Sequence, residues 1–284
     1  MGQTVPRYAI LSHTWGPDHD EVTFTDLGKD IDTYTSKPGY KKLQFCADQA
    51  AKNDTCCIDK SSSAELTEAI NSMFAWYRDA ARCYVYLSDV SAGTPISGSS
   101  DQQEWYPAFQ QSRWMARGWT LQELLTPASV KFFSVEGHRL GNRYSLLQEL
   151  HSIIGISIKA LQGGSLDRFS VEERLSWVGR RQTKHEEDMA YSLLGIFDVH
   201  MPLIYGEGRK KSFARLRREI NLSANGGPLD IPQSNIPKDQ NQASMMYNTP
   251  VFNGLISGHY VVPGTHVTGG TVNFNFGKER DVCR

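Results

Sequence analysis

Ser112-SRWMARGWTLQELLTPASVKFF-Phe133 is the stretch on which the fold turns. Leu121, Leu124 and Leu125 recur at i, i+3, i+4, the stripe an amphipathic helix turns toward a core, so Ser112–Leu125 is read as one short helix. Thr126 and Pro127 close it, and Val130-Lys-Phe-Phe133 follows as a β-rich run. Glu123 lies roughly opposite the leucine stripe, and Trp119, four residues earlier, falls on the same side. A carboxylate beside an indole on the back of an apolar helix is either a solvated surface pair or one wall of a cleft. Arg113 and Arg117 are near enough in sequence to make the surface pair.

Working outward, the helix-then-strand pattern repeats. Tyr8-Ala-Ile-Leu-Ser12 is an apolar run stopped by His13, Trp15 and Gly16-Pro17. Gly39–Ala51 has helical spacing, with Leu43, Ala47 and Ala50 on one side. Ser62-Ser-Ala-Glu65 has the form of a capping box, and the helix it opens carries Leu66, Ile70, Met73, Phe74 and Tyr77 along one face. Cys83-Tyr-Val-Tyr-Leu87 is a strand ending at Ser88-Asp89, and a loop of small residues follows from Gly93 to Ser100. Strands alternating with helices predict an α/β layer with a largely parallel sheet, in which ligands sit beyond the carboxyl ends of the strands. Glu172–Leu222 is helical, with one stripe at Met189, Leu193, Leu194 and Phe197 and another at Phe213, Leu216 and Ile220. His185 to Asp188 is read as a helix start and not as a metal site.

Composition narrows the class. The chain has 284 residues, a net charge of −1 and five cysteines, two of them adjacent. No apolar run reaches the ~20 residues of a membrane span, the first ten residues do not form a signal peptide, and Pro6 spoils a myristoylation pattern. The charge gives no general pull toward nucleic acid. An odd cysteine count without CxxC spacing predicts reduced thiols, no structural zinc and a cytoplasmic protein. Cys56 and Cys57 read as small buried hydrophobes. Residues 222–248 are rich in Asn, Gln, Pro, Gly and Ser and read as a disordered linker. Residues 249–277 carry short β-branched and aromatic runs spaced by Gly and Asn with almost no charge, a pattern open to two readings: a disordered tail or a template for cross-β stacking. Lys278–Arg284 is unlike the segment before it and reads as a separate tail.

Four blocks in order now resemble a known family. YAILSHTWG, DTCCIDKSSSAELTEAINSMFAWYRDAARCYVYLSDV and SRWMARGWTLQELLTPASVKFF resemble the signature blocks of the fungal HET (heterokaryon incompatibility) domain, and WVGRRQTKHEEDMAYSLLGIFDVHMPLIYGEGRKKSFARLRREI is similar to its usual end. The resemblance implies a HET domain over residues 1–221, its α/β core about 8–135 and its helical part about 136–221. It implies a cytoplasmic effector of programmed cell death in non-self recognition. Lys52-Asn53-Asp54 interrupts the apolar run that family members carry into the TCCIDK block, which raises a decayed paralogue as an alternative. Residues 249–277 look like the amyloid signalling motifs of fungal cell-death proteins, which implies recruitment by an NLR-type nucleotide-binding receptor and self-association on activation. No GxxxxGK[ST] loop is present, so the chain is recruited by such a receptor or is the front end of one.

HET domains have been compared with TIR domains, and that likeness implies a TIR-like, flavodoxin-like layer followed by a helical extension and a disordered C-terminal tail. It also implies a site. Glu123 corresponds to the helix glutamate that acts on the ribose of NAD, with NAD as substrate and no resident cofactor or metal. A carboxylate there stabilises the oxocarbenium character that builds as the nicotinamide–ribose bond breaks. Ser12, His13, Trp15, Asp59 and Trp119 are the substrate-binding candidates. Two bland readings stay open: Asp59 caps the helix after it, and His13 merely bonds its loop. A non-enzymatic oligomerising module is the competing function.

Overall fold

A computed structural model describes residues 7–23, 26, 30–49, 55–56, 63–93, 102–224 and 260–261. Asp59, residues 225–248 and nearly all of 249–277 lie outside them, as do the capping-box side chains. Residues 222–224, read from sequence as the start of the linker, continue the last helix instead. The strands are β1 (Ala9–His13), β2 (Thr55–Cys56), β3 (Arg82–Tyr86), β4 (Val130–Phe133), β5 (Arg139–Asn142) and β6 (Tyr260–Val261). The helices of the α/β core are α1 (Ile31–Thr35), α2 (Tyr40–Gln49), α3 (Ser63–Asp79), α4 (Gln102–Gln110), α5 (Arg113–Ala116) and α6 (Thr120–Leu125). Those that follow are α7 (Leu147–Ile154), α8 (Ile158–Leu161), α9 (Val171–Ser176), α10 (Asp188–Tyr191), α11 (Leu194–Phe197) and α12 (Gly208–Ala224), with a 3-10 turn at Leu166–Arg168.

The main sheet has the order β1-β3-β4-β5. β1 pairs parallel with β3, Ala9 opposite Arg82 through His13 opposite Tyr86, and β3 pairs parallel with β4. β5 runs antiparallel to β4 at the edge, inside the stretch read from sequence as purely helical. A second, two-stranded ladder is not hydrogen-bonded into this sheet but has β2 beside β1: β2 is parallel to β6, with Thr55 opposite Tyr260. Helical crossovers between parallel strands cover the sheet on both faces. The alternation in Cys83-Tyr-Val-Tyr86 accounts for this. Cys83 and Val85 face the large helical layer with Ile10, Val130 and Phe132. Tyr84 and Tyr86 face the other way, where Ala9, Phe133 and Phe45 and Cys46 of α2 form a second, smaller core.

Two sequence readings are corrected. α2 buries Lys42, Phe45 and Cys46, not the Leu43–Ala47 side. Phe45 and Cys46 pack on Tyr84, Tyr86 and Phe133, and Lys42 shares that face because its ammonium pairs with Glu21 and donates to the Thr14 carbonyl at 3.1 Å. The stretch from Ser112 is also not one helix. It breaks after Ala116, where Arg117 forms a parallel bridge with Gln182. Gln182 donates to the Ala116 carbonyl at 2.6 Å, and Gly118 donates back to Gln182 at 2.9 Å. Gly118 permits the approach, because a Cβ there would come within 2.5 Å of the Thr183 methyl.

The helical region packs against α3 through a similar close contact. A Cβ on Gly195 would fall 2.1 Å from Cβ of Phe74, closer than real carbon atoms approach. Gly195→Ala is expected to cost about 1–3 kcal/mol in denaturant unfolding, the usual cost of overpacking. Adding Phe74→Gly, which removes that Cβ, should then cost less than it does alone, because the second truncation relieves the first clash; additive losses would place the strain elsewhere.

Candidate functional site

α6 is buried along its whole length, Thr120 to Leu125. Its polar groups are therefore satisfied by neighbours. The Arg181 guanidinium donates to the Arg117 carbonyl and to Thr120 Oγ1, both at 2.7 Å, at the start of the helix. Arg143 donates to the Leu124 and Leu125 carbonyls at 2.9 and 3.1 Å at its end. Gln122 donates its amide to the Ser192 carbonyl at 2.7 Å. Ahead of it α5 is capped by Ser112, whose hydroxyl donates at 2.9 Å to Asp89, just beyond the β3 terminus. These anchors fix where Glu123 points.

Glu123 points inward, to the end of β1, and is 6% exposed. That overturns the surface pair: Arg113 turns to Asp89, 3.5 Å away. The fully buried Ser12 hydroxyl donates to Glu123 Oε2 and accepts a hydrogen bond from Trp114 Nε1 at 2.7 Å. Trp114 is held edge-on against Phe132 of β4, with ring centroids 5.6 Å apart. Burial pushes the Glu123 carboxyl up from 4.5 to about 7. Against that shift act the Ser12 hydrogen bond, the charge of Arg117, a hydrogen bond from Tyr77 and the charge of Arg181. Burial in turn lowers Arg181 to about 10, opposed by the charge of Glu123. Both are groups whose ionised forms are costly away from water. Near neutral pH Glu123 can both hold and release a proton, the property wanted of a general acid or base.

The residues proposed from sequence do not all converge. Ser12 meets Glu123. His13, the next residue along β1, faces the opposite side of the sheet with Leu11. It stacks on Trp15 at 6.2 Å between centroids, beside the buried Glu21–Lys42 pair, and its Nδ1 lies 3.2 Å from the Thr14 carbonyl. Trp119 precedes α6 and hydrogen-bonds Asp188, not Glu123. Among the described residues no group of His, Cys, Asp and Glu could hold a metal. Trp114, Tyr77 and Arg181, none of them a site candidate from sequence, join Ser12 and Arg117 around Glu123. The polar tips of Trp114 and Tyr77 inside apolar stripes were the available signal, since a buried indole N–H or phenol seeks a partner. Nothing marked Arg181 among its neighbours.

The Glu123 shift has a direction in stability. Its folded-state value lies above the unfolded one, so its contribution is complete below about pH 4.5 and is lost as pH rises through about 7. The loss is on the order of 3 kcal/mol at alkaline pH. Glu123→Gln, which keeps an acceptor for Ser12, should flatten this part of the pH–stability curve and overtake the parent protein in melting temperature near pH 8. Parallel curves for the two proteins would show that Glu123 is not the titrating group.

Comparison with known proteins places these features beside a relative. The chain is 57% identical over 225 residues, 76% of its own length, to vegetative incompatibility protein HET-E-1 of Podospora anserina. It spans 16% of that relative's length. No family model and no solved structure matches the chain. On the strength of that identity, the chain is related to the heterokaryon-incompatibility proteins.

Proposed function

We propose that residues 1–221 form the death-executing domain of a heterokaryon-incompatibility system, silent when isolated and active when clustered. The observation that supports the role is the 57% identity to a vegetative incompatibility protein. The chemistry proposed is hydrolysis of the nicotinamide–ribose bond of NAD in the manner of TIR domains. Glu123 is the group assigned to it, because a carboxyl titrating near neutrality at the carboxyl end of a parallel strand suits that reaction. At 6% exposure Glu123 is enclosed, so substrate reaches it only after α6 or the end of β1 shifts. Assembly is the event proposed to cause that shift. The cluster is nucleated by an NLR-type receptor, reached through an amyloid motif at residues 249–277. Alternatively, it forms through further domains of a longer chain, since the matched relative extends far beyond the matched region.

A second reading draws on the burial of Glu123 itself. Here the carboxyl is an internal fastener between β1 and α6, and the domain signals by oligomerising without chemistry. The two part in one experiment: NAD turnover by the purified chain fused to a clustering module, parent against Glu123→Gln and Glu123→Ala. Loss of NAD by the parent alone, with Glu123→Gln folded, is the expected result. Toxicity on clustering without NAD turnover, retained by Glu123→Gln, would establish the scaffold.

A further inference from the structure

α12 carries its charges against its own dipole. Six cations and one carboxylate occupy its 17 residues, in a chain of net charge −1. Arg209, Lys210 and Lys211 stand in the first turn, where the amide ends already carry partial positive charge, and the last turn has no cation. Arg209 is accounted for by its guanidinium lying 5.5 Å from the centroid of the Phe213 ring one turn on, but helix stability does not account for Lys210 and Lys211. The buried face, Ser212, Leu216 and Ile220, fixes the orientation and turns the opposite face to solvent.

Partners sort the cations into two groups. Arg215 pairs with Glu207, and Arg217 pairs with Glu172 at 2.7 Å. Glu186 accepts from the Arg209 backbone at 3.4 Å, and Glu187 from Gly206 and Gly208 at 2.8 Å, so the nearby carboxylates are engaged. Lys210, Lys211 and Arg218 have no acidic partner among the described residues and are exposed. Lys211, Arg218 and Leu222 follow one another at i, i+7 and i+11 along one stripe. Leu222 is 41% exposed, and Ile204 and Tyr205, just ahead of the helix, are 49% and 40% exposed. Half of the large apolar side chains that stand exposed among the described residues thus belong to this helix or to the loop before it. Tyr205 among them is tied inward by its hydrogen bond to Asp188 at 3.0 Å and its ring contacts with His185 and Tyr191.

We propose that the outer face of α12 is a docking surface for an anionic phospholipid bilayer. Lys210, Lys211 and Arg218 would meet the lipid charges, and Leu222, with Ile204, would enter the interface. Unpaired cations give the charge complementarity, and apolar side chains at both ends of the helix favour a membrane over a nucleic acid. The surface is peripheral: among the described residues no helix is long and apolar enough to cross a membrane. The proposal stands apart from the chemistry of Glu123.

The test is co-sedimentation of the full chain with vesicles of phosphatidylcholine alone and of an equal mixture with phosphatidylserine. Binding to the mixed vesicles alone, weakening as salt is raised, is expected. Lys210→Glu/Lys211→Glu/Arg218→Glu should lose about a hundredfold in vesicle binding. Its melting temperature should hold or rise, because two of the carboxylates then agree with the helix dipole. Equal binding to both vesicle types, no binding to either, or retention by the triple variant would overturn the proposal. Tighter salt-sensitive binding to duplex DNA, lost in the same variant, would do so too and would reassign the face to nucleic acid.

Discussion

The hydrogen bond between Ser12 and Glu123 joins the first strand to a helix 111 residues later, with Ser12 fully buried and Glu123 nearly so. A carboxylate so placed would cost several kcal/mol if it stood alone and ionised. Ser12, Tyr77, Arg117 and Arg181 offset part of that cost, and partial protonation near neutrality removes more. The anchors at both ends of α6 follow from the same requirement. A displacement of about an ångström would leave an acidic group, an indole N–H and a hydroxyl unsatisfied together. The geometry is thus strongly over-determined, as expected of a site held ready or of a fastener that must not slip.

The sheet separates two polar groups that lie side by side in sequence. Ser12 faces Glu123 on the side of the large helical layer. His13 faces the side of α2, where Lys42 and Glu21 form their own buried pair. Lys42 also holds the Thr14 carbonyl, and Glu21 accepts from the Gly16 amide at 2.6 Å, so the loop after β1 is pinned from beneath. Any substrate touching both Glu123 and Trp15 would have to wrap over the carboxyl edge of the sheet. Chemistry centred on Glu123 therefore draws first on Ser12, Trp114 and Tyr77.

Much of the architecture was legible because local pattern and burial agree. Tyr8–Ser12, Cys83–Leu87 and Val130–Phe133 read as strands, and the Leu66–Tyr77 stripe does pack on the main core. Where the reading missed, tertiary contacts override local periodicity. A wheel drawn on Ser112–Leu125 assumes one axis, but Gly118 and the crossing chain at Gln182 break it into two. A wheel also sends Glu123 outward only if one face meets water, and here none does. Lys42 was passed over on α2 because a lysine on a buried face makes sense only once Glu21 is known to wait there. Arg181 had no legible mark, since its role rests on carbonyls far away in the chain. The antiparallel strand at Arg139–Asn142 is short, glycine-containing and mostly polar, which hid it.

The bridge between Arg117 and Gln182 also sets an order of events during synthesis. The chain that enters first, β1, finds its strand partner only when residues 82–86 have emerged, and its buried hydroxyl finds Glu123 later still. The clamp on α6 then waits for Arg181 and Gln182, so the amino-terminal third must persist unfinished while more than half of the domain is made. At typical elongation rates of about 5–20 residues per second, that leaves strand edges unpaired for several seconds or more. A nascent chain in that condition is a natural client for a chaperone, and a ribosome stalled before codon 182 would hold a chain whose main-sheet strands are all made but whose α6 lacks its clamp.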